Sequence, residues 1–85
     1  MCIRDRTWAL ANEVTIGRAA TCSINLDDTY VSGVHARLFN VNGSFMVEDL
    51  ESRNGTLLNG QDLHATTMLA PGDVLQIGST VMEFA

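Results

Sequence analysis

Short apolar segments separated by turn residues recur along the chain at the spacing of strands. The candidates are 7–10 (TWAL), 14–17 (VTIG), 23–26 (SINL), 35–41 (HARLFNV), 44–50 (SFMVEDL), 56–58 (TLL), 61–63 (QDL), 66–69 (TTML), 74–77 (VLQI) and 80–84 (TVMEF). Every second side chain is apolar in "VTI", "ARL" and "FMV", the period of a strand with one buried face. Asn42-Gly43 stands between two such runs, which predicts a tight hairpin joining 35–41 to 44–50. Asn59-Gly60 repeats that signal between shorter strands, and "APGD" at 70–73 is a further turn. No window carries the i, i+3, i+4, i+7 apolar repeat, and the best helical candidate, "ATCSI", is too short to stand alone. About ten short strands in so small a chain predict an all-β fold, an antiparallel two-sheet β-sandwich.

The 85 residues make one domain, and a composition 46% hydrophobic and 18% charged is globular rather than disordered. Five basic residues against ten acidic ones give a net charge of −5, which argues against nucleic acid and anionic membranes as partners. No apolar run reaches the roughly 18 residues of a membrane span, and no signal-peptide core is present. Cys2 and Cys22 read as free thiols in a reducing, cytoplasmic compartment, and no His/Cys cluster has the spacing of metal ligands. No cofactor is implied. The opening "MCIRDR" lacks any strand pattern; residues 1–6 are set aside as a leader foreign to the domain, which then spans 7–85.

Three segments between the strands are long and polar enough to carry function: 18–22 (RAATC), 27–34 (DDTYVSGV) and 51–55 (ESRNG). If strands alternate direction, the second and third share one end of the sandwich, because the 35–50 hairpin separates them. The first then lies at the opposite end unless strand 23–26 crosses between sheets, and periodicity does not decide between these. All the basic residues are arginines, whose planar forks of donors suit phosphate or carboxylate. Arg37, between Ala36 and Leu38 on a strand, reads as a solvated face. Asp27 and Asp28 read as turn formers, and His64 as a surface residue without a role. Trp8, Phe39, Phe45 and Phe84 read as core or strand-pair residues.

Ser32 and His35, in "YVSGVHARL", are three apart at a loop-to-strand junction. Catalysis by such a pair needs a hydrogen bond between them, an orienting acid such as Asp49 and an oxyanion hole, and no nucleophile-elbow motif accompanies them. The commoner role of such a histidine is to tie a loop through backbone hydrogen bonds, and that is the expectation here.

"TIGR" (15–18), "INLDDTYVSGVHARL" (24–38) and "VEDLESRNGTLLNG" (47–60), taken together, resemble the forkhead-associated (FHA) domain, a phosphothreonine-recognition module. The family pattern is Gly-Arg, Ser-x-x-His, Ser-x-Asn-Gly-Thr and a further Asn-Gly, in that order and spacing, and the match covers about 14–84. The resemblance implies a sandwich whose three loops, here 17–22, 27–34 and 51–56, converge at one end. It implies phosphate binding by Arg18 and Ser32 and a hold on the peptide main chain by Asn54. His35 is implied to brace the site, and Gly17 and Gly55 to shape its loops. Gly33, Arg53 and Thr56 complete the expected phosphopeptide-binding set, with Val31, Val34 and the Thr56 methyl as candidates for a slot around the threonine methyl.

The expected partner is a phosphothreonine-containing substrate of a Ser/Thr kinase, bound for signalling or recruitment. Chemistry agrees: a phosphothreonine carries about −1.5 to −2 charges and three acceptor oxygens, and Arg18 with Ser32 can donate to them. Two departures bear on this. Gly33 stands where the family often has arginine, which favours a rival reading, a degenerate copy used for phospho-independent assembly. The family's first strand has no counterpart in the sequence, so an open sheet edge and self-association through it are expected.

Overall fold

The computed structural model describes residues 2–3, 6–7 and 12–84, the first four through their backbone pairing. The described residues form eleven short strands: β1 (Cys2–Ile3), β2 (Arg6–Thr7), β3 (Glu13–Gly17), β4 (Ile24–Asn25), β5 (Ala36–Val41), β6 (Ser44–Asp49), β7 (Thr56–Leu58), β8 (Gln61–Asp62), β9 (Thr67–Met68), β10 (Val74–Ile77) and β11 (Thr80–Glu83). They form two sheets, ordered β2-β1-β11-β10-β7-β8 and β4-β3-β5-β6-β9. Among the described residues there is no helix.

Alternation places the core. In β5, Ala36 and Leu38 are buried while Arg37 and Phe39 are half-buried on the outer face. Facing them from the other sheet are Leu75, Ile77 and Met82, all fully buried. Each such aliphatic side chain contributes on the order of 1.5–3 kcal/mol by leaving water. Phe45 and Phe84 meet across the sheets with ring centroids 5.8 Å apart. Asn42 and Gly43, with φ of 51° and 88°, make the expected turn of the β5–β6 hairpin, whose register runs from Ala36↔Asp49 to Val41↔Ser44.

The structure departs from the sequence reading at the N-terminal segment. Cys2–Ile3 pairs with β11 and Arg6–Thr7 with β1, so the segment set aside as a leader carries two strands of the six-stranded sheet. β1 therefore flanks β11 in that sheet. The strand expected at 7–10 falls at 8–10 outside the described residues.

One pair is parallel. Residues Ile16 and Gly17 of β3 face Ile24 and Asn25 of β4, joined by a six-residue loop, 18–23, although parallel strands ordinarily need a crossover of about a dozen residues. The short loop suffices because β4 repeats only the last two residues of β3. Reciprocal bonds, Ser23 N–H to Thr15 Oγ1 at 3.1 Å and Thr15 N–H to Ser23 Oγ at 3.4 Å, hold the return.

Arg37 is not simply solvated. Its guanidinium pairs with Glu48 at 2.9 Å and Glu13 at 3.2 Å and lies 4.2 Å from the Phe39 ring centroid. It is committed to the outer face of the sheet.

Candidate functional site

The parallel β3–β4 pair decides where Arg18 goes. Because β4 runs the same way as β3, the chain leaves both strands at the same end. The 27–34 loop therefore starts beside Arg18 and returns into β5. The β5–β6 hairpin then brings residues 50–55 back to that end. All three loops meet there, which strand alternation alone does not predict.

Backbone contacts join the first two loops. Arg18 N–H donates to the Ser32 carbonyl at 3.0 Å and Ala19 N–H to the Gly33 carbonyl at 2.9 Å. Gly17 makes this approach feasible: a Cβ there would collide with the Gly33 carbonyl oxygen and come within 2.9 Å of Cys22 Sγ. The Cys22 thiol is buried and donates to that same carbonyl at 3.2 Å.

His35 joins the second loop to the third. Its ring is wholly buried. Nδ1 accepts the Ser32 backbone N–H at 3.1 Å, which fixes the proton on Nε2 and lets it donate to the Gly55 carbonyl at 2.8 Å. Gly55 turns that carbonyl inward at φ 78°. His35 N–H also reaches the Ile16 carbonyl at 2.8 Å, and its own carbonyl accepts from Leu50 N–H at 2.9 Å. The histidine is a brace.

The Ser32 hydroxyl has a different partner. Its Oγ accepts the Arg53 backbone N–H at 2.9 Å. The ring nitrogen nearest Ser32 is occupied by that residue's backbone N–H, and the other ring nitrogen by Gly55. His35 is therefore not placed as a base for Ser32. Asp49 Oδ1 lies 3.9 Å from His35 Nε2. Its carboxylate is occupied by Ser52 N–H, the Ser52 hydroxyl and the Thr56 hydroxyl. Burial pushes the Asp49 carboxyl up, but these hydrogen bonds together outweigh it and hold the group below the usual carboxylate range.

Arg18, Ser32, Gly33, Arg53 and Asn54 line one cavity of about 230 Å³, with Thr29, Tyr30 and Val31. Arg18, Arg53 and Asn54 are exposed and Ser32 is half-buried. Among the described residues, the ion pairs of arginine all belong to Arg37, so both arginines of the cavity keep their charge available. Asn54 donates through Nδ2 to the Tyr30 carbonyl at 2.7 Å, which leaves its amide oxygen for a ligand.

Thr56 differs from expectation. It is 1% exposed, its hydroxyl is committed to Asp49, and it is absent from the cavity wall. It braces the third loop from below. Of the three residues expected to form a methyl slot, Val31 alone lines the cavity; Val34 is exposed away from it.

Asp28 is more than a turn former. Buried at 7% exposure, it accepts from Tyr30 N–H through Oδ1 at 2.9 Å, and through Oδ2 from Ser79 N–H at 2.9 Å, Ser79 Oγ at 2.7 Å and Thr80 Oγ1 at 3.0 Å. These bonds, led by the Ser79 hydroxyl, hold its pKa down to about 2. They clip the Ser32 loop to the β10–β11 turn. The link spans 51 residues of sequence and leaves no local pattern.

Two arginines, an oriented hydroxyl and an amide thus surround one cavity where the three loops of the sandwich meet. The chain belongs to the FHA domain family, whose model matches residues 14–78. It is 40% identical over 70 residues to the FHA domain-containing protein FhaB of Mycolicibacterium smegmatis, a match covering 82% of this chain and 45% of that protein. It is 42% identical over 71 residues to the oxoglutarate dehydrogenase inhibitor of Corynebacterium glutamicum, covering 82% and 48%. The chain thus spans less than half the length of these relatives. The FHA domain of FhaA, solved in complex with the intracellular domain of Rv3910, superposes with a TM-score of 0.86 at 31% identity, covering 93% of this chain and 90% of that one. The MEK1 FHA domain, solved with a phosphothreonine peptide of HOP1, gives 0.74 at 31%, covering 81% and 76%.

Proposed function

We propose that this chain is a phosphothreonine-peptide recognition module that recruits a kinase-modified partner in the cytoplasm and carries out no reaction of its own. The observation that carries this is the meeting of Arg18, Arg53 and the Ser32 hydroxyl in one cavity with the Asn54 amide at its rim. The arginines offer paired charge-assisted bonds to the phosphate. Ser32 adds a hydroxyl donor, because its oxygen already accepts from Arg53 N–H and its own proton is free to point outward. Asn54 meets the peptide main chain through its amide oxygen.

Discrimination between phosphothreonine and phosphoserine tests this reading. Simple burial of the extra methyl contributes about 0.8 kcal/mol, roughly fourfold, whereas a fitted apolar wall can give about 10- to 200-fold. Val31 is the apolar side chain available at the cavity wall. Calorimetry with a peptide from a degenerate phosphothreonine library should show a preference above about tenfold over its phosphoserine twin, and no binding of the unphosphorylated form. Equal affinities for the two phosphopeptides would reduce the site to generic anion binding. Failure of every phosphopeptide with the fold intact would favour phospho-independent assembly, the reading that Gly33 supports.

A further inference from the structure

We infer that Asn25 is a positioning residue for the phosphate-binding arginine. The inference rests on the phosphopeptide reading of the cavity. Arg18 begins the short 18–23 return between two parallel strands, a connection with no ladder of its own. Its backbone N–H is held by the Ser32 carbonyl, but its carbonyl side has no strand neighbour. Asn25, exposed on the edge strand β4, fills that gap. Its Nδ2 donates to the Arg18 carbonyl at 2.8 Å and to the Ala19 carbonyl at 3.1 Å. Ala19 is held again through its N–H to Gly33 and its carbonyl from Cys22 N–H at 3.0 Å.

One amide group thus grips the peptide unit that carries the Arg18 side chain from its outer side, while the Ser32 loop grips it from the inner side. A carboxamide is required for this. An aspartate at the same place would turn an acceptor toward two carbonyl oxygens and bring a negative charge beside Arg18. Alanine would release the Arg18 carbonyl to water and let the loop sample other conformations. The side chain is on the surface, so its loss creates no cavity and leaves the core untouched.

A double-mutant cycle separates positioning of Arg18 from general support of the fold. With the library phosphothreonine peptide as probe, Asn25→Ala should weaken binding by about three- to tenfold, the effect of losing a pair of neutral hydrogen bonds, while the melting temperature stays within about 4 °C. On an Arg18→Ala background the same change should weaken binding by less than about twofold, because the group it positions is gone. On an Asn54→Ala background it should retain its full effect. Asn25→Asp should weaken binding at least as much as Asn25→Ala. Equal effects on the wild-type and Arg18→Ala backgrounds would overturn the assignment. So would a lost affinity accompanied by a large fall in melting temperature. A wild-type chain that binds the phosphorylated and unphosphorylated peptides alike would instead overturn the phosphopeptide reading itself.

Discussion

The Arg53 backbone N–H donates to Ser32 Oγ at 2.9 Å, across 21 residues of sequence. This bond fixes the hydroxyl as an acceptor toward the protein, so that its proton is available as a donor to a ligand. It also ties the loop bearing Arg53 to the loop bearing Ser32. Ser32→Ala should therefore do two things: remove a short phosphate contact and leave Arg53 N–H without its partner. Losing a hydrogen bond to a charged group costs about 1.5–3 kcal/mol, roughly 10- to 150-fold in affinity. Calorimetry on Ser32→Ala checks it; a loss below threefold would mean the phosphate does not reach this hydroxyl.

Arg18 and Asn54 should separate by salt. In the proposed role Arg18 meets the phosphate as a charge, so Arg18→Ala should lose about 2–4 kcal/mol of binding and flatten the dependence on ionic strength. Asn54 carries no charge and also anchors the Tyr30 carbonyl. Asn54→Ala should weaken binding with the salt slope nearly unchanged. Titrations at two ionic strengths decide it, and a common slope for wild type and Arg18→Ala would contradict the assignment.

His35 is buried and makes four hydrogen bonds that join β3 and the second and third loops. His35→Ala leaves a cavity and removes two of them, stranding the Ser32 N–H and the Gly55 carbonyl. A loss of about 1–3 kcal/mol is expected, which in a small domain lowers the melting temperature by roughly 4–8 °C per kcal/mol. A thermal melt measures it. An unchanged melting temperature with lost binding would make the histidine a direct ligand.

The strands and the β5–β6 turn were legible because each is written locally, and the candidate site through the family resemblance its motifs carry. Alternation marks β3, β5 and β6, Asn42-Gly43 marks the turn, and Ser-x-x-His marks the brace. What the sequence concealed is long-range. The parallel docking of β4 on β3 rests on two residue pairs and a loop without a signature, yet it places Arg18. Thr56 sits in the same motif as Asn54 but is buried under the loop, because Gly55, at φ 78°, reverses the chain's course between Asn54 and the start of β7. Asp28 looks like any acidic turn residue until its partners at Ser79 and Thr80 are known. Residues 2–3 are too few to show a period, although their backbone pairs with β11.

Asp28 should leave a mark on acid stability. Its folded pKa of about 2 lies below the ordinary aspartate value of 3.8. A depressed carboxylate stabilises the fold above the unfolded-state pKa, and that contribution is lost as pH falls from about 4 to about 2. Asp49 and Asp73 shift the same way, so the comparison must be with a variant. Chemical denaturation from pH 5 to pH 2 should show wild type losing stability over this window. Asp28→Asn, less stable than wild type at neutral pH, should lose less over it, and the two curves should converge near pH 2. Parallel curves would mean the carboxylate is not what clips the Ser32 loop to the β10–β11 turn.

Gly33 gives the last prediction. Nothing lies within 4 Å of where its Cβ would stand, and its φ is not positive, so the backbone does not demand glycine there. A side chain at this position would rise at the rim of the phosphate cavity, one residue from Ser32. Gly33→Arg should therefore fold normally and add a third cation to the cavity, from the Ser32 loop, tightening phosphopeptide binding by about three- to tenfold and steepening its salt dependence. The same variant shows what Arg53 does. If Arg53 supplies the charge that Gly33 lacks, Arg53→Ala should weaken wild type several-fold and weaken Gly33→Arg distinctly less, because the two cations serve the same oxygens. Calorimetry on the four proteins of this cycle checks it. Fully additive effects would place Arg53 on a part of the peptide away from the phosphate, and an unchanged affinity for Gly33→Arg would show that the phosphate lies deeper than this rim.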